Sequence, residues 1–215
     1  MHTLIFDLDG TLVDSAPGIV ASLVHAVRAL GHDFTPFAGT ELLLGPPMTH
    51  VLSQLLAPYR DDRVAQGVEL YREHYAQHGI AFTSPYPGIH TAIAELATRG
   101  HVLHVATSKR QIFAERILSD TGLRGYFRSI HGTSSDGRLD DKAVLLRELL
   151  EAWDITPVSA CMIGDKRNDV IAAHANGLPA LGILWGYGTR AELLGSGADA
   201  LLEQPGQLID AFHCA

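Results

Sequence analysis

The sequence predicts an α/β fold: a doubly wound parallel sheet with a small all-helical domain inserted after the first strand. Three observations predict it. Short apolar bursts recur at residues 3–6, 102–106, 160–163 and 180–184, and each gives way to polar or glycine-rich residues. Between the later bursts the apolar residues take a helical period, so strand and helix alternate as they do when helices cover both faces of a parallel sheet. The segment from about residue 14 to 85 breaks that alternation, with helical patterns and no convincing strand.

The first burst, Thr3-Leu4-Ile5-Phe6, runs directly into Asp7. An apolar strand ending in an acid is what a buried parallel strand looks like when its carboxyl end carries a site. In the insertion, Ile19, Val20, Leu23, Val24, Val27 and Leu30 share one helical face that stops at Gly31, and Val64, Val68, Tyr71 and Tyr75 mark a second helix. Gly45-Pro46-Pro47 forces a loop between them, and Ser84-Pro85-Tyr86-Pro87-Gly88 forces another at the return to the alternating region. The expected division is therefore residues 1–13 and 86–215 as an α/β core and residues 14–85 as the helical insertion. Downstream, Phe113, Ile117 and Leu118 close at Gly122, while Val144, Leu145, Leu149 and Trp153 follow Asp140-Asp141. Residues 129–131 and 200–202 are weaker strand candidates.

Composition narrows the class. The charged share is 19% and the apolar share 47%, yet no apolar run approaches the roughly 20 residues that a bilayer requires. Asp7 and Asp9 follow only three apolar residues, which predicts no secretory signal and a cytoplasmic location. In that compartment Cys161 and Cys214 are expected as free thiols. A formal charge of −8 argues against nucleic acid or an anionic membrane as the main partner. A small anion is still compatible, provided that a cation and oriented N–H groups supply a local positive field.

The densest chemical signal is Asp7-Leu8-Asp9-Gly10-Thr11-Leu12-Val13-Asp14-Ser15. Residues two apart in an extended chain face the same side, so Asp7 and Asp9 present two repelling carboxylates that a hard divalent cation would reconcile. Asp9-Gly10 is also ordinary turn chemistry. Three further signals follow in order. Thr107-Ser108-Lys109 ends the second burst, although a threonine there also reads as a helix N-cap. Lys142 follows Asp140-Asp141, where a solvated first-turn lysine is the plainer reading. Gly164-Asp165-Lys166-Arg167-Asn168-Asp169 ends another burst with two acids four residues apart, the second placed to complement a helix dipole.

Taken together these four motifs resemble the haloacid dehalogenase-like phosphatase superfamily, which has a Rossmann-like core. Tyr86-Pro87-Gly88, Leu184-Trp185-Gly186-Tyr187-Gly188 and the helical insertion resemble its phosphoglycolate phosphatase-like branch, in which the insertion is a cap. One departure is Ala143, where many relatives have proline after the lysine. The resemblance implies a Mg²⁺-dependent phosphatase acting on a small phosphorylated metabolite. It implies that Asp7 is the nucleophile that forms an aspartyl phosphate and that Asp9 is the acid and base. Thr107, Ser108 and Lys142 would bind the phosphoryl group. Mg²⁺ would be held by Asp7, the backbone carbonyl of Asp9 and Asp165, with Asp169 either a ligand or a group that orients one. The expected substrate is phosphoglycolate-like, with a 5′-nucleotide, a sugar phosphate or pyrophosphate as alternatives.

Readings outside this class fit less well. A dehalogenase has no use for Asp9 or for a metal Lewis acid. A phosphoaspartate signalling receiver places its acidic pair before its acceptor Asp, which is the wrong order. A catalytically silent binding protein would be expected to have lost one of Asp7, Asp9, Thr107, Lys142 or Asp165. The twelve histidines contain no zinc spacing, and Gly186-Tyr187-Gly188 lacks the context of a dinucleotide fingerprint.

Overall fold

A computed structural model describes residues 2–34, 44–134 and 137–212. The expected free thiol of Cys161 is buried, and Cys214 lies outside the described residues. Six strands form one sheet: β1 (Thr3–Phe6), β4 (Val102–Arg110), β5 (Ser129–Thr133), β6 (Ala160–Gly164), β7 (Ala180–Ile183) and β8 (Ala200–Leu202). Two-residue strands β2 (Val13–Asp14) and β3 (Ser84–Pro85) stand outside it. The sheet order is β5-β4-β1-β6-β7-β8, and every pairing is parallel.

That order puts the first burst of the sequence at the centre. Phe6 stands level with Val105 on one side and Ile163 on the other, so Asp7 leaves the sheet between β4 and β6. Leu4, Ile5 and Phe6 have no exposed surface, because a central parallel strand is covered on both faces. Ile5 packs with Leu145, Leu146 and Leu149 of α6 (Lys142–Ala152) and with Val170 and Ala173 of α7 (Arg167–Ala175). By the two-residue alternation of a strand, Leu4 and Phe6 point to the opposite face, where the Phe6 and Phe127 rings meet edge-on. Truncating a buried residue such as Leu146 to alanine would cost about 2–5 kcal/mol.

Helices begin where the sequence offers caps. Asp141 accepts hydrogen bonds from the Ala143 and Val144 amides at the start of α6, which makes Lys142 its first residue. Asp169 sits in the first turn of α7, and its carboxylate accepts from the Lys166 amide. The remaining helices of this part are α4 (Ile89–Thr98), α5 (Gln111–Asp120), α8 (Arg190–Gly195) and α9 (Gln207–Ala211).

The second strand differs from expectation. The apolar burst stops at Ala106, with a helix N-cap as one reading of Thr107, but β4 continues through residues 107–109 to Arg110. Arg110 pairs with Thr133 of β5 after a shift of register beyond Ala106. Tertiary pairing thus overrides the weak strand preference of Thr-Ser-Lys-Arg, and the irregularity re-aims side chains at the end of the strand.

The chain divides into two compact units, Met1–Asp14 with Pro85–Ala215, and Ser15–Ser84. The second contains α1 (Ala16–Ala29), α2 (Met48–Leu56) and α3 (Val64–Gln77). Helix α2 was not anticipated beyond the loop that precedes it. Ile19, Leu23 and Val27 of α1 and Val68, Tyr71 and Tyr75 of α3 are buried, as their spacing predicts. Among the described residues no helix is long and apolar enough to cross a membrane.

Candidate active site

Asp7, Asp165 and Asp169 each offer a carboxylate oxygen within 4.8 Å of the others. The fold brings them together because β1 and β6 are neighbours and the last of the three comes from the first turn of α7. All three are buried. Gly10, with φ +81°, turns the chain back here, and a Cβ on it would lie 2.3 Å from Asp165 Oδ2.

Lys142 enters this group from the start of α6. Its ammonium is 2.9 Å from Asp7 Oδ1 and also rests against Asp169 Oδ1. It is therefore not the solvated lysine of the plainer reading, being only 8% exposed. Burial draws its pKa down, but attraction to Asp169 and Asp7 outweighs burial and leaves it above the ordinary lysine value. Burial raises the Asp7 carboxyl to about 6, against the lowering pull of Lys142 and with a further push from Asp169. Burial, then Asp169 and Asp7, hold Asp165 well above the usual carboxylate range.

With all three acids ionised, one ammonium would leave two negative charges unbalanced, and the raised Asp7 and Asp165 carboxyls reflect that excess. Asp7 Oδ1 and Asp169 Oδ1 are buried and accept no well-directed hydrogen bond, although Lys142 lies beside both. Asp165 is better satisfied, since Thr11 Oγ1 donates to Oδ1 (3.3 Å) and the Tyr187 amide donates to Oδ2 (2.8 Å). A hard, oxygen-seeking divalent cation fits this set, both in charge and in the lone pairs left unmet.

Asp9 lies apart from that cluster. Both of its carboxylate oxygens accept from Lys109 Nζ, at 3.0 and 2.8 Å. From the sequence, Lys109 stands beside Thr107 with no role of its own. The signal was available, since residues two apart on a strand share a face. Thr107 is 1% exposed, and its hydroxyl accepts from the Lys109 amide (3.2 Å), so it is placed within strand β4 and does not cap a helix. Ser108 is half-buried on the same strand end.

The haloacid dehalogenase-like hydrolase family model matches residues 4–183, a stretch that contains every residue of this cluster. The chain belongs to that family. Among related proteins, this haloacid dehalogenase-like chain is 34% identical over 190 residues to a 5′-nucleotidase of Pseudomonas aeruginosa, covering 88% of this chain and 86% of that one. It is 33% identical over 193 residues to a phosphoglycolate phosphatase of Neisseria meningitidis, covering 87% and 82%. It is 37% identical over 191 residues to the tyrosine-protein kinase PtkA of Mycobacterium tuberculosis, covering 89% of this chain but 64% of that protein. A haloacid dehalogenase-like family hydrolase from Streptococcus pneumoniae superposes with a TM-score of 0.91 at 29% identity, over 99% of both chains.

Proposed function

We propose that this chain is a magnesium-dependent phosphatase that hydrolyses a small phosphate monoester through an aspartyl-phosphate intermediate on Asp7. The observation that carries the proposal is the buried set of Asp7, Asp165 and Asp169 around Lys142 at the carboxyl ends of the central strands. Relatives named as phosphatases support hydrolysis of phosphate esters. The relatives are named for two substrate classes, 5′-nucleotides and phosphoglycolate, and we favour a phosphoglycolate-like ester, with a 5′-nucleotide next. The relative named as a kinase has more than a third of its length outside the match.

Asp7 and Asp165 would hold Mg²⁺ together with the backbone carbonyl of Asp9, and Asp169 would either join them or orient Lys142. Bound there, the ion would supply positive charge to the phosphoryl oxygens. An Asp7 carboxylate oxygen attacks phosphorus and the ester P–O bond breaks. Asp9, a carboxylate paired with Lys109 at rest, first takes up a proton from solvent and gives it to the departing alkoxide. Water then attacks the phosphoaspartate, Asp9 takes the proton, and the bond to Asp7 breaks to release phosphate. Lys142, Thr107 and Ser108 hold the phosphoryl oxygens throughout. The helical unit Ser15–Ser84 is assigned the role of a cap that selects the leaving group.

The test is a panel of phosphate monoesters, including phosphoglycolate, nucleoside monophosphates and sugar phosphates, ranked by kcat/KM with Mg²⁺ and with chelator. Turnover that stops in chelator is expected. Hydrolysis undiminished in excess chelator would remove the metal, and no hydrolysis of any ester would remove the reading.

A further inference from the structure

The loop after β7 holds Trp185 and Tyr187, two residues apart, and both reach into the site. The Tyr187 amide donates to Asp165 Oδ2 (2.8 Å), and the Trp185 indole donates to the Thr11 carbonyl (2.9 Å). Thr11 in turn donates to Asp165 Oδ1 (3.3 Å), so both oxygens of this carboxylate are set, directly or at one remove, by a single loop. The loop runs against the backbone beneath it, because a Cβ on Gly188 would fall 1.7 Å from the Asp165 carbonyl oxygen.

The Tyr187 side chain points elsewhere. Its hydroxyl donates to Asp14 Oδ1 (3.0 Å). Asp14 is the last residue of the sheet unit before the chain departs, and Pro85 and Tyr86 are the first two after it returns. The Tyr86 amide donates to the Leu12 carbonyl (3.2 Å), which ties the outgoing and returning strands together beside Tyr187. Tyr187 therefore joins Asp165 through its backbone to the outgoing strand through its side chain, and the Tyr86–Leu12 bond ties the returning strand to that one.

We infer that Tyr187 is a positioning residue that couples metal binding at Asp165 to the placement of the two strands by which the chain leaves and re-enters the sheet unit. This rests on the metal reading above. A cation at Asp165 fixes the carboxylate in one orientation, and the loop that serves both of its oxygens carries that constraint to Asp14 and, through the Leu12–Tyr86 hydrogen bond, to the returning strand. Linkage makes the effect reciprocal, so fixing the crossing strands favours the metal-ready arrangement of Asp165.

The experiment is hydrogen exchange of residues 12–16 and 84–88 in the full chain, with and without Mg²⁺, alongside Mg²⁺ affinity by calorimetry. In the wild type, Mg²⁺ should slow exchange in both segments on the order of tenfold. Tyr187→Phe keeps the ring and the amide that serves Asp165, so it should bind Mg²⁺ within about threefold of wild type while losing the protection. Asp14→Ala should lose it equally, Asp14→Asn should keep it by retaining the acceptor, and the double variant should be no worse than either single. Protection that survives in Tyr187→Phe, or effects that add in the double variant, would overturn the coupling. Wild-type protein that binds Mg²⁺ and hydrolyses esters but shows no protection would overturn the coupling alone. Failure of wild type to bind Mg²⁺ would overturn the functional reading beneath it.

Discussion

Lys109 and Asp9 form a two-point ion pair, with Nζ at 3.0 and 2.8 Å from the carboxylate oxygens and only 6% and 16% of the side chains exposed. The pair fixes the orientation of the group proposed to move the proton. It also balances the Asp9 charge, so that the remaining deficit belongs to Asp7, Asp165 and Asp169.

Lys109→Met keeps the length of the side chain and removes the charge. Asp9 then loses its fixed position and adds an uncompensated negative charge facing the incoming phosphate. We expect kcat/KM to fall by roughly 10²-fold, as when a preorganised electrostatic partner is deleted, with Lys109→Arg recovering part of the loss. Steady-state kinetics at saturating Mg²⁺ check this, and a wild-type rate in the methionine variant would make the pair purely structural.

Lys142→Ala should act on both activity and stability. The lysine is the shared partner of Asp7 and Asp169, and removing one member of a buried ion network costs about 3–5 kcal/mol. For a chain of this size that is a Tm drop on the order of 10 °C without metal, with kcat/KM lowered by roughly 10²-fold or more. Thermal melts with and without Mg²⁺ and kinetics on one ester separate the two effects. An unchanged melt would mean that Lys142 is not carrying the charge of the site.

Two pKa shifts push stability in opposite directions as pH changes. His104 is buried beside Ser129, and burial, helped by His131 and Arg128, drives its pKa down to about 4. Its folded state favours the neutral ring, so this stability is present above the ordinary value of 6.5 and is lost as pH falls toward 4. Asp7 at about 6 favours its protonated form in the metal-free fold, so that contribution is present below 3.8 and is lost as pH rises through 6. Denaturant melts should show that His104→Gln loses less stability than wild type between pH 7 and pH 4.

The same Asp7 shift sets a pH dependence for metal binding. A ligand carboxyl must give up its proton before it can coordinate, so the Tm increase caused by Mg²⁺ should be larger at pH 7 than at pH 5. Melts in matched buffers measure it. An increase independent of pH across this range would separate Asp7 from the metal.

The sheet was legible because its central strands are buried on both faces and read as unbroken apolar bursts ending in acids, with Phe6-Asp7 and Ile163-Gly164-Asp165 the clearest. Asp7, Lys142, Asp165 and Asp169 were named from local strings, and the structure brings those four together. What was illegible depends on distant pairing. The continuation of β4 through Lys109 is imposed by β5, and its partnership with Asp9 spans 100 residues of sequence. Tyr187 carries no role of its own within Leu184-Trp185-Gly186-Tyr187-Gly188, because nothing local announces that its amide and hydroxyl serve Asp165 and Asp14.

Asp7 and Asp9 are two residues apart and chemically alike, so the sharpest prediction separates them. Asp7→Asn should leave no covalent intermediate, because an amide oxygen is a far poorer nucleophile than a carboxylate. Asp9→Asn keeps the nucleophile and loses proton transfer, and an amide can still accept a hydrogen bond from Lys109. Its penalty should therefore depend on the leaving group. A p-nitrophenolate departs with little protonation, whereas an alkoxide such as that of glycolate needs a proton as the bond breaks. The measurement is kcat/KM of both variants on p-nitrophenyl phosphate and on an alkyl phosphate, with acid-quench trapping of phosphoenzyme. Phosphoenzyme formed by Asp7→Asn, or an equal loss on both substrates in Asp9→Asn, would reverse or dissolve these roles.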